Sequence, residues 1–157
     1  MRRKALDRLV ISPVLQTWWR FSRGMTLGVR GIATDEAGRV MLVRHGYVSG
    51  WHLPGGGVER GQTAAQAMAA EFIEEAGIEL TAPPALLGVF NNSQFFPNDH
   101  VLLFRAEQWR PCTPRASARE IAERGFFALD ALPEGATRAT RARLNEIFAG
   151  APADAHW

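Results

Sequence analysis

The chain has 157 residues, of which 46% are hydrophobic and 22% are charged, and its formal net charge is +2. This composition is typical of a soluble globular protein, and the length is sufficient for one domain with a sizeable core. The small net charge and the lack of a Lys/Arg block exclude a basic arm for stable nucleic-acid binding. No apolar run approaches the roughly 18 residues of a transmembrane helix. The single cysteine, Cys112, cannot form an internal disulfide, so we expect a cytoplasmic protein.

Residues 1–24 are predicted to form a helical extension ahead of the main domain. Ser12 and Pro13 suit the N-cap and the first position of a short helix that ends near Phe21. The segment is rich in large apolar side chains, namely Val14, Leu15, Trp18, Trp19 and Phe21. We expect these side chains to pack against the domain or a second copy, so this helix or a sheet edge is the predicted homodimer interface. Contact of the Trp and Arg side chains with a membrane surface is the alternative.

Two strands are predicted next, over Met25–Ala33 and Val40–Val43, and the turn at residues 35–38 favours pairing them as a hairpin. Two candidate substrate-binding residues follow. Arg44 suits a substrate phosphate, although it also fits a solvated charge at a strand end. Trp51 suits stacking on a base, although a tryptophan before an apolar turn also fits the core.

A glycine-rich turn and a helix occupy residues 55–78. Thr63 is a good N-cap, and Gln66 three residues later completes a capping box. Ala64–Ala76 is rich in strong helix formers, and Gly77 is placed to end the helix in the left-handed conformation. The three consecutive glycines before the helix allow a close backbone approach that side chains would prevent.

Three carboxylates crowd the end of this predicted helix. Glu71, Glu74 and Glu75 are spaced i, i+3 and i+4, so they are expected to share one face. Like charges at this spacing destabilise a helix by roughly 0.2–0.5 kcal/mol per pair. Two of the three glutamates also lie at the negative end of the helix dipole, which destabilises an exposed carboxylate by roughly 0.3–1 kcal/mol. A divalent cation would reverse both effects, and oxygen ligands suit Mg²⁺ or Mn²⁺. A solvated acidic face is the alternative, but the adjacent glycine turn favours a metal site.

The stretch Gly56–Ile78 resembles the Nudix box, G-x5-E-x7-R-E-U-x-E-E-x-G-U, in which U is a bulky apolar residue. Seven of the nine fixed positions match in register, namely Gly56, Glu71, Phe72, Glu74, Glu75, Gly77 and Ile78. Two positions depart, because Gln62 stands where the family has Glu and Ala70 stands where it has Arg. The chain is therefore identified as a member of the Nudix hydrolase family, of the MutT-like kind.

This resemblance implies an α/β (α+β) fold, an α/β/α sandwich with a mixed β-sheet between helices, and a single Nudix domain over residues 25–150. It implies a hydrolase that cleaves the pyrophosphate bond of a nucleoside diphosphate linked to another moiety. Nucleotide sugars, dinucleoside polyphosphates, ADP-ribose and nucleoside triphosphates are the expected substrate classes. A catalytically weak nucleotide-binding or regulatory domain is the alternative, which the two departures favour.

The resemblance also implies roles for individual residues. The expected ligands of Mg²⁺, or of Mn²⁺, are Glu71, Glu74, Glu75 and the carbonyl of Gly55. Glu59 in the glycine turn is a third candidate substrate-binding residue, which is expected to join the site through water. The general base is expected to be Glu71 or Glu120, since Glu120 lies five positions before an aromatic strand start, with Glu123 as the alternative to Glu120.

The remaining elements are predicted from local patterns. Strands are expected over Leu86–Phe90 and His100–Ala106, with a polar loop at residues 91–99 between them. The resemblance to the Nudix family implies that this loop and the strand after it influence specificity. Thr137–Ala149 has the apolar spacing of an amphipathic helix, and residues 151–157 are expected to be a frayed tail.

The two departures from the box suggest one hypothesis about charge. If the family's Glu and Arg balance each other, losing both at Gln62 and Ala70 leaves no charge unpaired. On this hypothesis, Ala70→Arg alone would not raise activity unless Gln62→Glu accompanied it.

Overall fold

The computed structural model describes residues 24–157, so the predicted helix over residues 12–21 and its dimer role lie outside the described part. The elements in this part are β1 Thr26–Ala33, β2 Val40–His45, β3 Trp51–His52, α1 Ala64–Glu71, a π-helical turn Phe72–Ala76, β4 Ile78–Leu80, β5 Ala85–Asn91, β6 Asp99–Ala106, β7 Trp109–Pro111, β8 Ile121–Phe127 and α2 Arg138–Ala149. Neither helix within residues 24–157 is long and apolar enough to cross a membrane.

The strands form three small sheets. The first has the order β1-β6-β5, with β1 parallel and β5 antiparallel to β6. The second has the order β3-β2-β8 and is antiparallel, and the third pairs β4 with β7. This mixture of parallel and antiparallel strands with helices confirms the predicted fold class.

The predicted hairpin of β1 and β2 is wrong. Each residue of β1 has a partner on β6, from Thr26 with Asp99 to Ala33 with Ala106, whereas β1 and β2 are joined near their turn only by the bridge between Thr34 and Val40. Val29 on one face of β1 and Ile32 on the other are both fully buried. A strand covered on both faces belongs inside a layered sheet, which a two-stranded hairpin cannot provide.

The two helices cover opposite faces of these sheets. On one side, Met68 of α1 and Phe72 of the π turn pack with Val29 and Phe104. On the other side, Leu144 of α2 packs in the second core cluster, whose other buried members are Ile32, Val40, Leu42, Leu53, Phe90 and Leu103. The layered arrangement holds β1 between the helices, and β1 in turn supports the glycine turn.

The helix after the glycine turn begins and ends where the sequence predicts. Thr63 accepts a hydrogen bond from Gln66 N, the reciprocal capping-box bond is present, and Gly77 adopts φ +67°. The last turn, Phe72–Ala76, is π-helical rather than α-helical. A π turn widens the helix locally and changes the angular spacing of the side chains within it.

Residues 151–157 are not frayed, so that prediction is wrong. Asn91 N donates to Ala155 O at 2.8 Å, and Trp157 N donates to Asn91 O at 2.9 Å, so the tail continues beside the end of β5. Arg143, only 1% exposed, donates to His156 O at 2.6 Å. A buried arginine in the last helix therefore fixes the tail in place.

Candidate active site

The glycine turn lies directly against β1. Val29 N donates to Gly56 O at 2.8 Å, and Gly31 N donates to Pro54 O at 2.9 Å. Gly55 has φ +149°, and a Cβ there would overlap the carbonyl oxygen of Val29. Only glycine fits this combination of conformation and contact.

The next glycine allows a carboxylate to approach the turn. A Cβ on Gly56 would overlap Oε1 of Glu71, so the missing side chain leaves the space that the carboxylate fills. The close approach predicted from the glycines is therefore observed at Gly55 and Gly56. Gly57 is exposed and has open space around its Cβ position.

Glu75 is the most buried carboxylate of the box. It is 6% exposed, and its Oε2 accepts a hydrogen bond from Gly55 N at 2.8 Å. Burial raises its pKa to about 7, the bond from Gly55 opposes that rise, and the negative charge of Glu71 adds to it. A buried carboxylate with a raised pKa indicates negative charge that the protein does not fully neutralise.

His45 does not neutralise this charge. Its Nδ1 lies 3.6 Å from Oε1 of Glu75, which is within ion-pair distance only if the ring is protonated. Burial lowers the pKa of His45 to about 4, and the charges of Arg30 and His52 act in the same direction. The imidazole of His45 is therefore neutral near pH 7 and forms no ion pair with Glu75.

Two further carboxylates act on the same region. Burial raises the pKa of Glu71, and the charges of Glu74 and Glu120 raise it further. Glu120 also raises the pKa of Glu75, so its charge lies near both helical carboxylates. Its backbone is held in the loop before β8, where Gly46 N donates to Glu120 O at 3.0 Å.

The three box glutamates do not occupy equivalent positions. Glu71 is half-buried, Glu75 is buried and Glu74 is exposed. The π turn contains Glu74 and Glu75 and departs from the regular spacing on which the shared-face prediction rested. Glu71 and Glu75 meet at the glycine turn, the charge of Glu120 lies near both, and Glu74 is exposed.

The donor set fits a hard divalent cation. In residues 24–157, no group of three or more His, Cys, Asp or Glu side chains is positioned as it stands to hold a metal ion. These groups nevertheless offer oxygen atoms, and the pKa values of Glu71 and Glu75 are raised by burial first and then by neighbouring carboxylates, against the opposing charge of Arg30. Oxygen donors around uncompensated negative charge are the environment that Mg²⁺ and Mn²⁺ prefer.

Arg30 is a cation near this cluster that the sequence reasoning missed. It lies in the middle of β1, and its Nη1 donates to Leu53 O at 2.9 Å, two residues before Gly55. Burial lowers the pKa of Arg30, while the charges of Glu75 and Glu71 oppose that change. An arginine within an otherwise apolar strand was the available signal, since arginine is rarely buried without a role.

Three predicted substrate or site residues lie apart from the carboxylates. Arg44 forms an ion pair with Glu123 on the surface. Glu120, and not Glu123, is the loop carboxylate whose charge raises the pKa of Glu71 and Glu75. Trp51 packs edge-on against Phe127 at 4.8 Å. Within the described chain, the side chains of Arg44, Trp51 and Glu59 form no hydrogen bond or ion pair with Glu71, Glu75 or Glu120.

The two departures from the box are accommodated locally. Gln62 closes a turn, because its Oε1 accepts from Glu59 N at 3.1 Å and its own N donates to Glu59 O at 3.1 Å. Ala70 is half-buried in α1. Both residues are uncharged, so neither position adds a charge to the site.

Two adjoining cavities border the glycine turn. One, of about 410 Å³, is lined by Gly56 and Gly57, and the other, of about 280 Å³, reaches the start of α2. They share Arg30, Asn92 and Trp157, so together they form one cleft. A larger groove of about 1000 Å³ lies near the β1–β2 turn and, unlike these two, is not lined by the glycine turn or by Arg30.

Comparisons with known proteins agree with this geometry. The sequence model of the NUDIX domain matches residues 24–147. A "Putative 8-oxo-dGTP diphosphatase" from Bacillus subtilis (strain 168) is 34% identical over 76 residues, which are 48% of this chain and 50% of that protein. The match thus spans only half the length of this curated relative.

Solved structures show the same fold. A MutT NUDIX hydrolase from Burkholderia pseudomallei has a TM-score of 0.67 at 26% identity, over 78% of this chain and 97% of that one. A UDP-X diphosphatase has a TM-score of 0.58 at 22% identity, over 90% of this chain and 72% of that one, and shows the fold alone. Because the family model covers most of the sequence and the box carboxylates meet the glycine turn, the chain belongs to the NUDIX domain family.

Proposed function

We propose that the chain is a Mg²⁺-dependent pyrophosphohydrolase, with Mn²⁺ as an alternative metal, and that residues 25–150 form its catalytic domain. The substrate is a nucleoside diphosphate linked to another moiety. The observation that carries the proposal is the meeting of Glu71 and Glu75 with the glycine turn, where Glu75 is buried and the charge of Glu120 raises the pKa of both. The family's general use of divalent metals supports the same proposal.

The metal-binding residues in this proposal are Glu71, Glu74, Glu75 and the carbonyl of Gly55. Gly55 N already orients Glu75 through its hydrogen bond, and Gly56 leaves room for Glu71. A bound divalent cation would neutralise charge on the phosphates and lower the pKa of a water molecule.

The protein's own groups then handle the proton and the substrate. Glu71 or Glu120 accepts the proton of the attacking water, whose oxygen forms a bond to one phosphorus. The bond from that phosphorus to the bridging oxygen breaks, and the electron pair leaves with the second phosphate. Arg30, at the border of both cavities, contributes a positive charge to the cleft.

The test is a phosphate- and pyrophosphate-release screen with Mg²⁺ and with Mn²⁺. The substrates are nucleoside triphosphates, ADP-ribose, nucleotide sugars and dinucleoside polyphosphates, and the name of the Bacillus relative supports testing 8-oxo-dGTP and other triphosphates first. We expect metal-dependent release that Glu74→Gln abolishes or reduces at least about tenfold. Measurable nucleotide binding without release from any substrate would favour the alternative, a nucleotide-binding or regulatory domain.

Gly56→Ala is expected to reduce that activity at least about tenfold, because the new Cβ would displace the carboxylate of Glu71. Gly57→Ala is the matched control, since an added Cβ there meets no atom within 4 Å. Steady-state rates and thermal unfolding of both variants provide the measurement. Equal losses of rate in the two variants would show that the Glu71–Gly56 contact does not matter.

A further inference from the structure

His45 is a buried histidine at the end of β2 that has no part in the mechanism described above. It is 7% exposed. Because side chains alternate along a strand, its ring lies on the same face of β2 as those of Met41 and Val43. Met41 packs in the core cluster that contains Phe72 of the π turn. The ring of His45 is therefore on the face of β2 that packs against the end of the box helix.

The Nδ1 atom of this ring is buried and has no hydrogen-bond partner among the described residues. Buried polar atoms in proteins nearly always have a partner, so one without a partner needs an explanation. Nδ1 lies 3.6 Å from Oε1 of Glu75, slightly longer than a hydrogen bond. Oε2 of the same carboxylate accepts from Gly55 N at 2.8 Å. The carboxylate of Glu75 thus has a backbone donor on one oxygen and a ring nitrogen beside the other.

A neutral ring suits this position better than a charged one. Burial lowers the pKa of His45 to about 4, and a neutral imidazole carries its proton on one of its two nitrogens. With that proton on Nδ1, the ring can orient the carboxylate of Glu75 and leave its negative charge available to a divalent cation. Each carboxylate oxygen has two lone pairs, so both oxygens can accept from the protein and still bind a metal.

The backbone at His45 also contacts the loop that carries Glu120. The pairing of β2 with β8 shifts register just before His45, which pairs with Ile121, so Ala122 is an extra residue in β8. Bulges of this kind redirect side chains and are frequent beside active sites. Gly46 N donates to Glu120 O at 3.0 Å. The end of β2 therefore connects the buried carboxylate of the box with the loop of the second candidate base.

We propose that His45 is a positioning residue, which donates a hydrogen bond from Nδ1 to Oε1 of Glu75 and so holds the carboxylate in place for a divalent cation. The inference rests on the proposed function, because it takes Glu75 as a metal ligand. Side chains that orient metal ligands in this way typically contribute roughly 10- to 100-fold to metal affinity.

The test compares three variants of the full chain by their affinity for Mn²⁺, without substrate, with the free ion counted by electron paramagnetic resonance. Asparagine places an amide N–H near the position of Nδ1, glutamine places it nearer that of Nε2, and leucine fills the space without a donor. We expect His45→Leu and His45→Gln to raise the Kd for Mn²⁺ about tenfold or more. His45→Asn is expected to retain most of the affinity, which a requirement for bulk alone would not produce.

Nitrogen-15 NMR of the metal-free protein, labelled at histidine, provides a readout that depends on neither metal nor turnover. We expect the signals of His45 to be those of the tautomer protonated at Nδ1, and the Nδ1–H resonance to move in Glu75→Gln. Thermal unfolding in EDTA reports whether each variant is folded. If His45→Leu does not fold, the comparison of His45→Asn with His45→Gln decides.

A ring protonated at Nε2 would overturn the inference, as would equal Mn²⁺ affinities of the wild-type protein and His45→Gln, or equal losses in His45→Asn and His45→Gln. A wild-type protein that binds no Mn²⁺ would overturn both this inference and the proposed function. Mn²⁺ binding that depends on His45, without phosphate release from any substrate, would reject the hydrolase proposal and leave this inference standing.

Discussion

Replacing Glu75 by Gln is expected to stabilise the metal-free protein at pH 8 while abolishing hydrolysis. Glu75 is 6% exposed, and burial raises its pKa from 4.5 to about 7. The folded protein therefore binds a proton at Glu75 more tightly than the unfolded chain does. The energetic cost of its ionised form is absent below pH 4.5, grows as the pH rises to about 7, and is fully present above that value.

The size of this effect follows from the same pKa. A rise from 4.5 to about 7 corresponds to a free energy of unfolding lower by on the order of 3 kcal/mol at pH 8. Glutamine keeps an oxygen that can accept from Gly55 N and carries no charge. For a chain of this size, each kcal/mol corresponds to about 2–4 °C in Tm, so the variant should unfold several degrees higher at pH 8.

The measurement is chemical unfolding in the presence of EDTA at pH 5 and pH 8. The gain in the free energy of unfolding of Glu75→Gln over the wild-type protein should be large at pH 8. It should be small at pH 5, where Glu75 is already protonated in the folded state. Glu79→Gln is the control, because Glu79 is half-exposed and paired with Arg110, which lowers its pKa, so this variant should gain no stability at pH 8. A gain of equal size at both pH values would contradict the assignment of the effect to the buried charge.

Adding Mg²⁺ should reverse which protein is more stable, so that the wild-type protein becomes more stable than Glu75→Gln. The wild-type protein is expected to gain stability at pH 8, because the cation neutralises Glu71 and Glu75, whereas Glu75→Gln should gain much less. This reversal would identify Glu75 as a group whose unfavourable burial serves metal binding. Such a trade of stability for function is common at active sites.

The local part of the site could be predicted from the sequence. The capping box at Thr63, the glycine that ends the helix and the meeting of Gly56 with Glu71 depend on residues within one short stretch. Their signals are the conformational preferences of single residues, which act over a few positions. The family assignment succeeded for the same reason, because the box is contiguous.

The long-range part could not be predicted in this way. The pairing of Thr26 with Asp99 joins positions 73 residues apart, and nothing local distinguishes it from the hairpin with β2. The contact of Trp157 with the cleft likewise depends on Arg143, which is buried within α2 and looks from sequence like a surface charge. Tertiary packing, rather than local preference, decides such contacts.

Arg30 is the most consequential of these missed residues, and Arg30→Met is expected to reduce hydrolysis about tenfold to a hundredfold. The charge of Arg30 lowers the pKa of both Glu71 and Glu75, opposing the effect of burial. Without that charge the pKa of each carboxyl rises further, so less of the ionised form is present near neutral pH. The acid limb of the pH–rate profile should therefore move to higher pH, which a purely structural defect would not produce.

A change at a second position tests whether hydrolysis depends on the positive charge of Arg30 or on its particular side chain. The family's box carries an arginine where this chain has Ala70, so Arg30 is the cation that remains beside the carboxylates. Restoring a guanidinium through Ala70→Arg in the Arg30→Met background should recover part of the rate and move the acid limb back. Arg30→Lys, which keeps the charge but loses the bond to Leu53 O, should retain more activity than Arg30→Met. The contrary outcome is that Arg30→Met with Ala70→Arg is as slow as Arg30→Met alone, and that the pH–rate profile moves in neither variant. Arg30 would then act through its hydrogen bond to the glycine-turn segment and not through its charge.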